Sequence, residues 1–272
     1  MVKARTLLAN RYRLERRIMP RLTREAWRAS DLATGRTVAV LLPRAACAAS
    51  TECFLTTAAH AARIRHPGIA RIHDFGLAGP GGIPFAVTEL VGGTPLAAIM
   101  RAGPLDPVWV LDIVRQVTAA LGVAHRSDAV PLDISPWSLR LAPGGTVKVT
   151  GLCLPRVAGP AGGLGSDLYS LGLVAWGCLT GQPPDSDTWP QRATGQVAGQ
   201  QTPPLPPLPA TVPAGIAGLA ADLTADGPQA RPASTTEVLA RCGELLAVPM
   251  RVGQPGGTSG QGSTCLLDAP TR

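Results

Sequence analysis

The chain has 272 residues, 45% of them hydrophobic, and a formal net charge of +7. This length allows one large domain or two lobes around a substantial core. The longest apolar runs are short and interrupted by glycine, and the N-terminus lacks the apolar stretch of a signal peptide. The sequence therefore predicts no membrane-spanning helix and a soluble, cytoplasmic protein.

Cysteine spacing and the distribution of charge exclude further classes. The six cysteines form no C-x-x-C pair, and most lie in apolar sequence, which favours free thiols over disulfides or a metal site. Residues 1–75 carry 14 basic and five acidic side chains. Such a basic face can meet a phosphopeptide, a nucleic acid or acidic lipid, or can simply be solvated. Because the arginines are not interleaved with aromatic residues, a nucleic-acid partner is not expected.

The first ninety residues are predicted to form a five-stranded sheet and one helix. A β-branched run over residues 37–42 indicates a buried strand, and small and apolar residues at helical spacing indicate the helix. His66-Pro67 then closes that helix. The strands are expected near residues 12–14, 27–29, 37–42, 69–75 and 85–90, and the helix at residues 51–64.

The remainder is predicted to be mainly helical. Asp106 offers an N-cap and Pro107 a first helical residue for a helix with a buried apolar stripe. Two short strands should flank a turn at residues 143–145. Two closing helices are expected at residues 216–223 and 235–246. Residues 182–214 are proline-rich and predict an extended loop, a linker or an SH3-type ligand, and residues 249–272 predict a disordered tail.

One stretch, residues 166–184, predicts a central helix that is buried on most sides. Its apolar residues fall on more than one face, which is typical of a core helix. Ser166 is a possible N-cap and Gly181 a stop, followed by two prolines. The elements on either side are expected to pack around this helix.

The same stretch reads SDLYSLGLVAWGCLTGQPP and resembles the αF helix of bacterial PknB-type (Hanks) serine/threonine protein kinases. Residues 66–76 (HPGIARIHDFG) resemble a segment of the N-terminal lobe of the same family. The resemblance covers roughly residues 10–248. It implies an α+β, two-lobed kinase-like fold: an N-terminal extension at residues 1–10, a β-rich N-lobe at 11–90, a helical C-lobe at 91–248 and the tail.

Most residues that this family uses for phosphoryl transfer are replaced. Such a site needs positive centres around the phosphates and a carboxylate near the attacking hydroxyl. Residues 18–26 occupy the place of the glycine-rich loop and contain no glycine. Asp133 is kept at the base position. The resemblance implies five losses: the strand lysine (Leu41), the helix glutamate (Thr57), the catalytic-loop lysine (Ser135), and the metal-binding asparagine (Ser138) and aspartate (Gly151).

Two further positions follow from the resemblance. Only twelve residues separate Cys153 from residue 166, which implies a shortened activation segment without room for a protein substrate. Arg231 matches an arginine whose glutamate partner lay in that segment, so it must find another partner or face solvent. Asp167 is predicted to be structural, holding the catalytic-loop backbone.

The sequence thus predicts a pseudokinase of the actinobacterial kind, a regulatory or scaffolding protein-interaction module with no cofactor and no metal. The alternative is weak ATP binding or residual kinase activity, because Ala39, Thr88, Glu89 and Val91 can still form an adenine pocket. The expected partner is an FHA-type phosphothreonine reader or an active kinase, with Thr264 and Thr271 as phospho-acceptors.

Overall fold

A computed structural model describes residues 3–20, 24–43, 51–127, 134–150, 164–182 and 205–247. Its N-terminal part consists of six strands and one helix: β1 (Leu7–Leu8), β2 (Tyr12–Pro20), β3 (Arg24–Asp31), β4 (Thr37–Pro43), α1 (Thr51–Ala62), β5 (Ile72–Ala78) and β6 (Ile83–Glu89). The strands form one antiparallel sheet with the order β1-β2-β3-β4-β6-β5. The predicted helix, α1, packs against β5 and β6.

The C-terminal part is helical around a small three-stranded sheet, β7-β8-β9. The proline-rich residues 183–204 and residues 248–272 lie outside the described ranges. The elements are β7 (Thr94–Pro95), α2 (Leu96–Met100), α3 (Pro107–His125), β8 (Leu139–Leu141), β9 (Val147–Val149), α4 (Leu164–Thr180), α5 (Ala214–Leu223), a 3₁₀ turn (Pro228–Ala230) and α6 (Thr235–Ala247).

Each strand and helix predicted above has a counterpart in the structure, and the differences include one added strand and two shifted starts. The strand expected at residues 69–75 begins at Ile72, because Ile69 instead forms a bridge to Val149 in the other lobe. Residues 7–8, assigned to an extension, add an edge strand to the sheet. Ser166 is not the N-cap of α4, since that helix already begins at Leu164.

Alternation along β4 divides the N-lobe sheet between two environments. Val38, Val40 and Leu42 belong to a cluster with Tyr12 and Trp27 on one face. Ala39 and Leu41, which alternate with them, point to the opposite face, where the cavity described below lies. Strand β4 thus has no polar face, which agrees with its prediction as a buried strand.

Helix α3 contributes many buried residues to the core of the C-lobe. Asp106 caps it by accepting hydrogen bonds from the amides of Val108 and Trp109, as predicted. In the described part of the chain it is the one helix long and apolar enough to cross a membrane, which the sequence analysis did not anticipate. More than half of it is buried, and it packs against α4 and α6, as a core helix does.

Arginines of the N-lobe do accompany aromatic rings, contrary to the sequence prediction. The guanidinium of Arg11 lies 5.0 Å from the ring centre of Tyr12, and that of Arg17 lies 5.2 Å from the ring of Trp27. Both rings are buried in the sheet core. They therefore offer no exposed platform on which a nucleic-acid base could stack.

Three of the cysteines, Cys53, Cys178 and Cys242, are free thiols, as predicted. Burial raises the pKa of Cys178 to about 12 and that of Cys242 to about 11, so both are protonated and unreactive at neutral pH. The other three cysteines lie outside the described residues.

Candidate functional site

A cavity of about 270 Å³ lies between the two parts of the fold. Its roof is the inner face of the N-lobe sheet, and one side is the connection between the lobes, residues 90–93, here named the hinge segment. Its floor is formed by Trp137, Arg140 and Thr150 of the C-lobe. The volume is slightly below the range of about 300–1,000 Å³ that is usual for small-molecule pockets.

Strand register orders the roof into two rows. The hinge row, nearer the hinge segment, takes one residue from each of four neighbouring strands, and all four line the cavity: Arg16, Arg28, Ala39 and Thr88. The inner row, farther from the hinge segment, contains Ala26 opposite Leu41, with Ile18 beside them. The roof is therefore cationic near the hinge segment and apolar beyond it.

An ion pair closes the hinge side of the cavity. Lys148 Nζ on β9 donates to Glu89 Oε1 at 2.5 Å, which ties the end of β6 to the C-lobe sheet. The Glu89 carbonyl accepts from Thr88 Oγ1 at 3.3 Å. This pair neutralises the one acidic residue that lines the cavity among the described residues.

Arg140 reaches from the floor to the hinge segment. Its Nη2 donates to the carbonyl of Gly93 at 2.5 Å and its Nε to that of Gly92 at 3.5 Å. The side chain is half-buried, and burial lowers the pKa of its guanidinium. These two acceptors are neutral carbonyl oxygens, so its positive charge is not balanced by a carboxylate among the described residues.

A hydroxyl network forms the floor behind Arg140. Ser135 and Ser138 are both buried, and their Oγ atoms lie 2.9 Å apart. Ser138 Oγ also accepts from the Ser135 amide at 3.0 Å. Thr150 donates from its amide (2.8 Å) and from its hydroxyl (2.9 Å) to the Ser138 carbonyl. The hydroxyls thus stabilise a local turn and attach it to the end of β9.

A buried carboxylate lies deeper in the C-lobe. Asp167 on α4 is fully buried, and its Oδ2 is 2.9 Å from Nε2 of His125 at the end of α3. Because an ionised carboxylate can only accept, the imidazole donates this bond. His125 Nδ1 has no hydrogen-bond partner within the described ranges.

Arg231 connects the start of α4 to the turn before α6. Its guanidinium donates to the carbonyls of Gly165 (3.0 Å) and Ala225 (2.7 Å) and lies 4.4 Å from the ring centre of Tyr169. Burial lowers its pKa. The sequence left open whether this arginine finds another partner or faces solvent, and in the structure it has other partners.

Comparison with solved structures identifies the arrangement. The kinase domain of Mycobacterium tuberculosis PknI superposes with a TM-score of 0.70 at 22% identity, over 90% of this chain and 99% of that one. The chain has a protein kinase fold. A double-mutant form of the PknI kinase domain gives a TM-score of 0.72 at 22% identity, over 91% of this chain and 100% of that one.

Sequence relatives are serine/threonine protein kinases of the same group. The chain is 31% identical to PknA of Mycobacterium tuberculosis in an alignment of length 237 that covers 75% of this chain and 55% of PknA. It is 29% identical to PknB of that organism in an alignment of length 229 that covers 72% of this chain and 36% of PknB. It therefore spans about half or less of these relatives' length. A scan against protein-family models finds no match.

Within this kinase fold, Leu41 is the one predicted substitution among the described residues that lines the cavity, and Ser135 and Ser138 lie in the turn behind its floor. Leu41 is 4% exposed and lines the inner row of the cavity. Thr57 does not line it; its Oγ1 donates to the carbonyl of Cys53, one turn back on α1, at 2.8 Å. Asp133 and Gly151 lie outside the described residues, as do Thr264 and Thr271.

The four residues of the predicted adenine pocket all line the cavity: Ala39, Thr88, Glu89 and Val91. Four further residues line the cavity and were not predicted from the sequence: Trp137, Arg16, Arg28 and Arg140. That the Arg28 side chain is on the cavity face of the sheet could have been inferred, because Arg28 is opposite Ala39 in a predicted antiparallel pair. Trp137 and Arg140 belong to the other lobe, and no local sequence pattern predicts that they line the cavity. Among the described residues, no group of three His, Cys, Asp or Glu side chains is placed so that it could hold a metal ion.

Proposed function

We propose that this kinase-fold chain is catalytically inactive and acts as a regulatory or scaffolding protein-interaction module. The observation that carries the proposal is Leu41. It places an apolar side chain in the cavity, at the position where the family resemblance expects the phosphate-binding lysine. No other lysine is available there, because Lys148 is bound to Glu89, and Lys3 precedes strand β1 and does not line the cavity.

The serine network supports the same proposal. Ser135 and Ser138 stand where the resemblance expects a lysine and a metal-binding asparagine, and both make hydrogen bonds within their own turn. Removing one preorganised electrostatic group typically costs roughly 10²–10³ in rate. Such losses do not simply multiply, but several together leave too little stabilisation for measurable phosphoryl transfer.

A phosphotransfer assay tests the proposal. The full chain is incubated with radiolabelled ATP, Mg²⁺ or Mn²⁺ and a generic basic protein substrate, and we expect incorporation no higher than with heat-denatured chain. The single variant Leu41→Lys should remain inactive, because the metal ligands would still be missing. Metal-dependent transfer that disappears in the variant Asp133→Asn would overturn the proposal.

The second candidate function is weak ATP binding or residual kinase activity. It is favoured by the cavity itself, because Ala39, Thr88, Glu89 and Val91 surround a space that a planar base could enter. If only the base binds, thermal-shift titrations should give equal stabilisation with adenosine and with ATP, with or without Mg²⁺. A larger, Mg²⁺-dependent shift with ATP would favour the active kinase instead.

The proposed partner is an FHA-type phosphothreonine reader or an active kinase that modifies Thr264 or Thr271, in a cytoplasmic setting. Support comes only from the composition of residues 249–272, which are rich in glycine, serine and threonine. A pull-down with the whole chain and with a version truncated at Pro249 tests this role. Equal capture by the two would contradict it.

A further inference from the structure

The charge of the interlobe cavity is concentrated at its hinge end. Arg16 makes no ion pair within the described ranges, and Arg28 donates a hydrogen bond from its Nε to Glu15 Oε2 at 2.9 Å. Both line the cavity as neighbours in the hinge row. Arg140 approaches the same end from the floor, since it binds the carbonyls of residues 92 and 93. Three arginines from two lobes therefore line the hinge end of a single cavity.

These charges exceed what the surrounding carboxylates neutralise. Among the described residues, the lining side chains and their ion-pair partners comprise four cations (Arg16, Arg28, Arg140 and Lys148) and two anions (Glu15 and Glu89), a net charge of +2. Arg140 is the half-buried member without a carboxylate. An uncompensated, partly desolvated guanidinium favours a bound anion, because charge-assisted hydrogen bonds strengthen where water is partly excluded.

The other end of the cavity is apolar. The inner row presents Ile18, Ala26 and Leu41 from three neighbouring strands, and no charged residue of the described ranges lies between them in that row. Trp137, which is half-buried, contributes an indole surface to the floor. A ligand that places its charge at the hinge end would thus bury an apolar body against the inner row, and removing apolar surface from water favours binding.

We infer that this cavity binds a small amphipathic organic anion, an aryl or alicyclic carboxylate or sulfonate. Its charged group lies among Arg16, Arg28 and Arg140, and its apolar body lies against Leu41 and Trp137. The volume of about 270 Å³ limits the ligand to a body of about two fused rings. The inference goes beyond the proposed function, because such binding requires neither phosphoryl transfer nor a protein partner.

Titration calorimetry of the full chain with naphthalenesulfonate tests the inference. Two related probes separate its parts: naphthalenemethanol has the same body without the charge, and methanesulfonate has the charge without the body. We expect heat of binding with naphthalenesulfonate and none at the same concentrations with the other two. Raising the ionic strength should weaken binding, because the contact is electrostatic at its exposed end.

Charge-removing variants identify the site. Arg140→Gln is expected to weaken naphthalenesulfonate binding about tenfold, because a half-buried charged hydrogen bond is lost. Arg16→Gln should weaken it about threefold, since that side chain is exposed. The matched control is Arg13→Gln. Arg13 is an exposed arginine of the same strand, and it does not line the cavity. The affinity of this variant for naphthalenesulfonate should equal that of the unmodified chain.

A second type of variant keeps the test decisive if Arg140→Gln alters the hinge segment. Ala39→Phe fills the cavity from the roof and leaves every arginine in place, so naphthalenesulfonate binding should be lost while the circular dichroism spectrum is retained. Equal binding of naphthalenemethanol, or unchanged affinity in both Arg16→Gln and Ala39→Phe, would overturn the inference. Because no probe contains a transferable phosphoryl group, these outcomes are independent of the phosphotransfer assay.

Discussion

Replacing Asp167 with alanine is expected to lower the free energy of unfolding by about 3 kcal/mol, the upper end of the cost of leaving a buried hydrogen-bonding group without its partner. The Asp167 side chain is fully buried and its carboxylate receives a hydrogen bond from His125 at 2.9 Å. His125 already has one ring nitrogen without a described partner. Losing the carboxylate would leave the second nitrogen unsatisfied inside the C-lobe as well.

Urea unfolding of Asp167→Ala and of a surface control measures this effect. The control is Asp112→Ala on α3, whose carboxylate pairs with Arg115 at 2.5 Å where both side chains are at least one-third exposed. An exposed pair of this kind contributes about 0.2–1 kcal/mol. If the two variants lost the same stability, the Asp167–His125 contact would not be a main support of the junction between α3 and α4.

The predicted fold is confirmed where local signals were strong. Asp106 and Pro107 determine the start of α3 through the cap itself, and the sequence contains both residues. The start of α4 was wrong by two residues because its first turn is held from a distance. The carbonyl of Gly165 accepts a hydrogen bond from Arg231, 66 positions away, and no local pattern reveals that contact.

The candidate site likewise has features that could be predicted from the sequence and features that could not. Leu41 and Ala39 could be placed on one face of a strand, because period-two alternation is visible in the sequence. The pairing of Lys148 with Glu89 could not, since the two residues lie 59 positions apart and meet only when the lobes pack. The contact of Arg140 with the hinge segment could not be predicted for the same reason. The chemistry of the cavity therefore depends on contacts between lobes that the sequence pattern leaves undetermined.

Gly93 lies where the hinge segment contacts strand β8, and the variant Gly93→Ala is expected to lose about 3 kcal/mol of stability, within the range for overpacked sites. Its φ is +84°, and a Cβ built there would lie 2.0 Å from the carbonyl oxygen of Leu141. That oxygen belongs to strand β8, which pairs with β7 next to Gly93. The backbones must separate, and Arg140, which donates to the Gly93 carbonyl, would be displaced with them.

The variant Gly144→Ala is a matched control for backbone strain. Its φ of +86° is nearly the same, but a Cβ there would meet nothing within 4 Å. It should therefore lose only about 1 kcal/mol, the cost of a left-handed backbone for a residue other than glycine. Thermal unfolding compares the two, and naphthalenesulfonate binding should weaken only in Gly93→Ala. Equal losses of stability would mean that strain alone, and not the close approach to Leu141, requires glycine in the hinge segment.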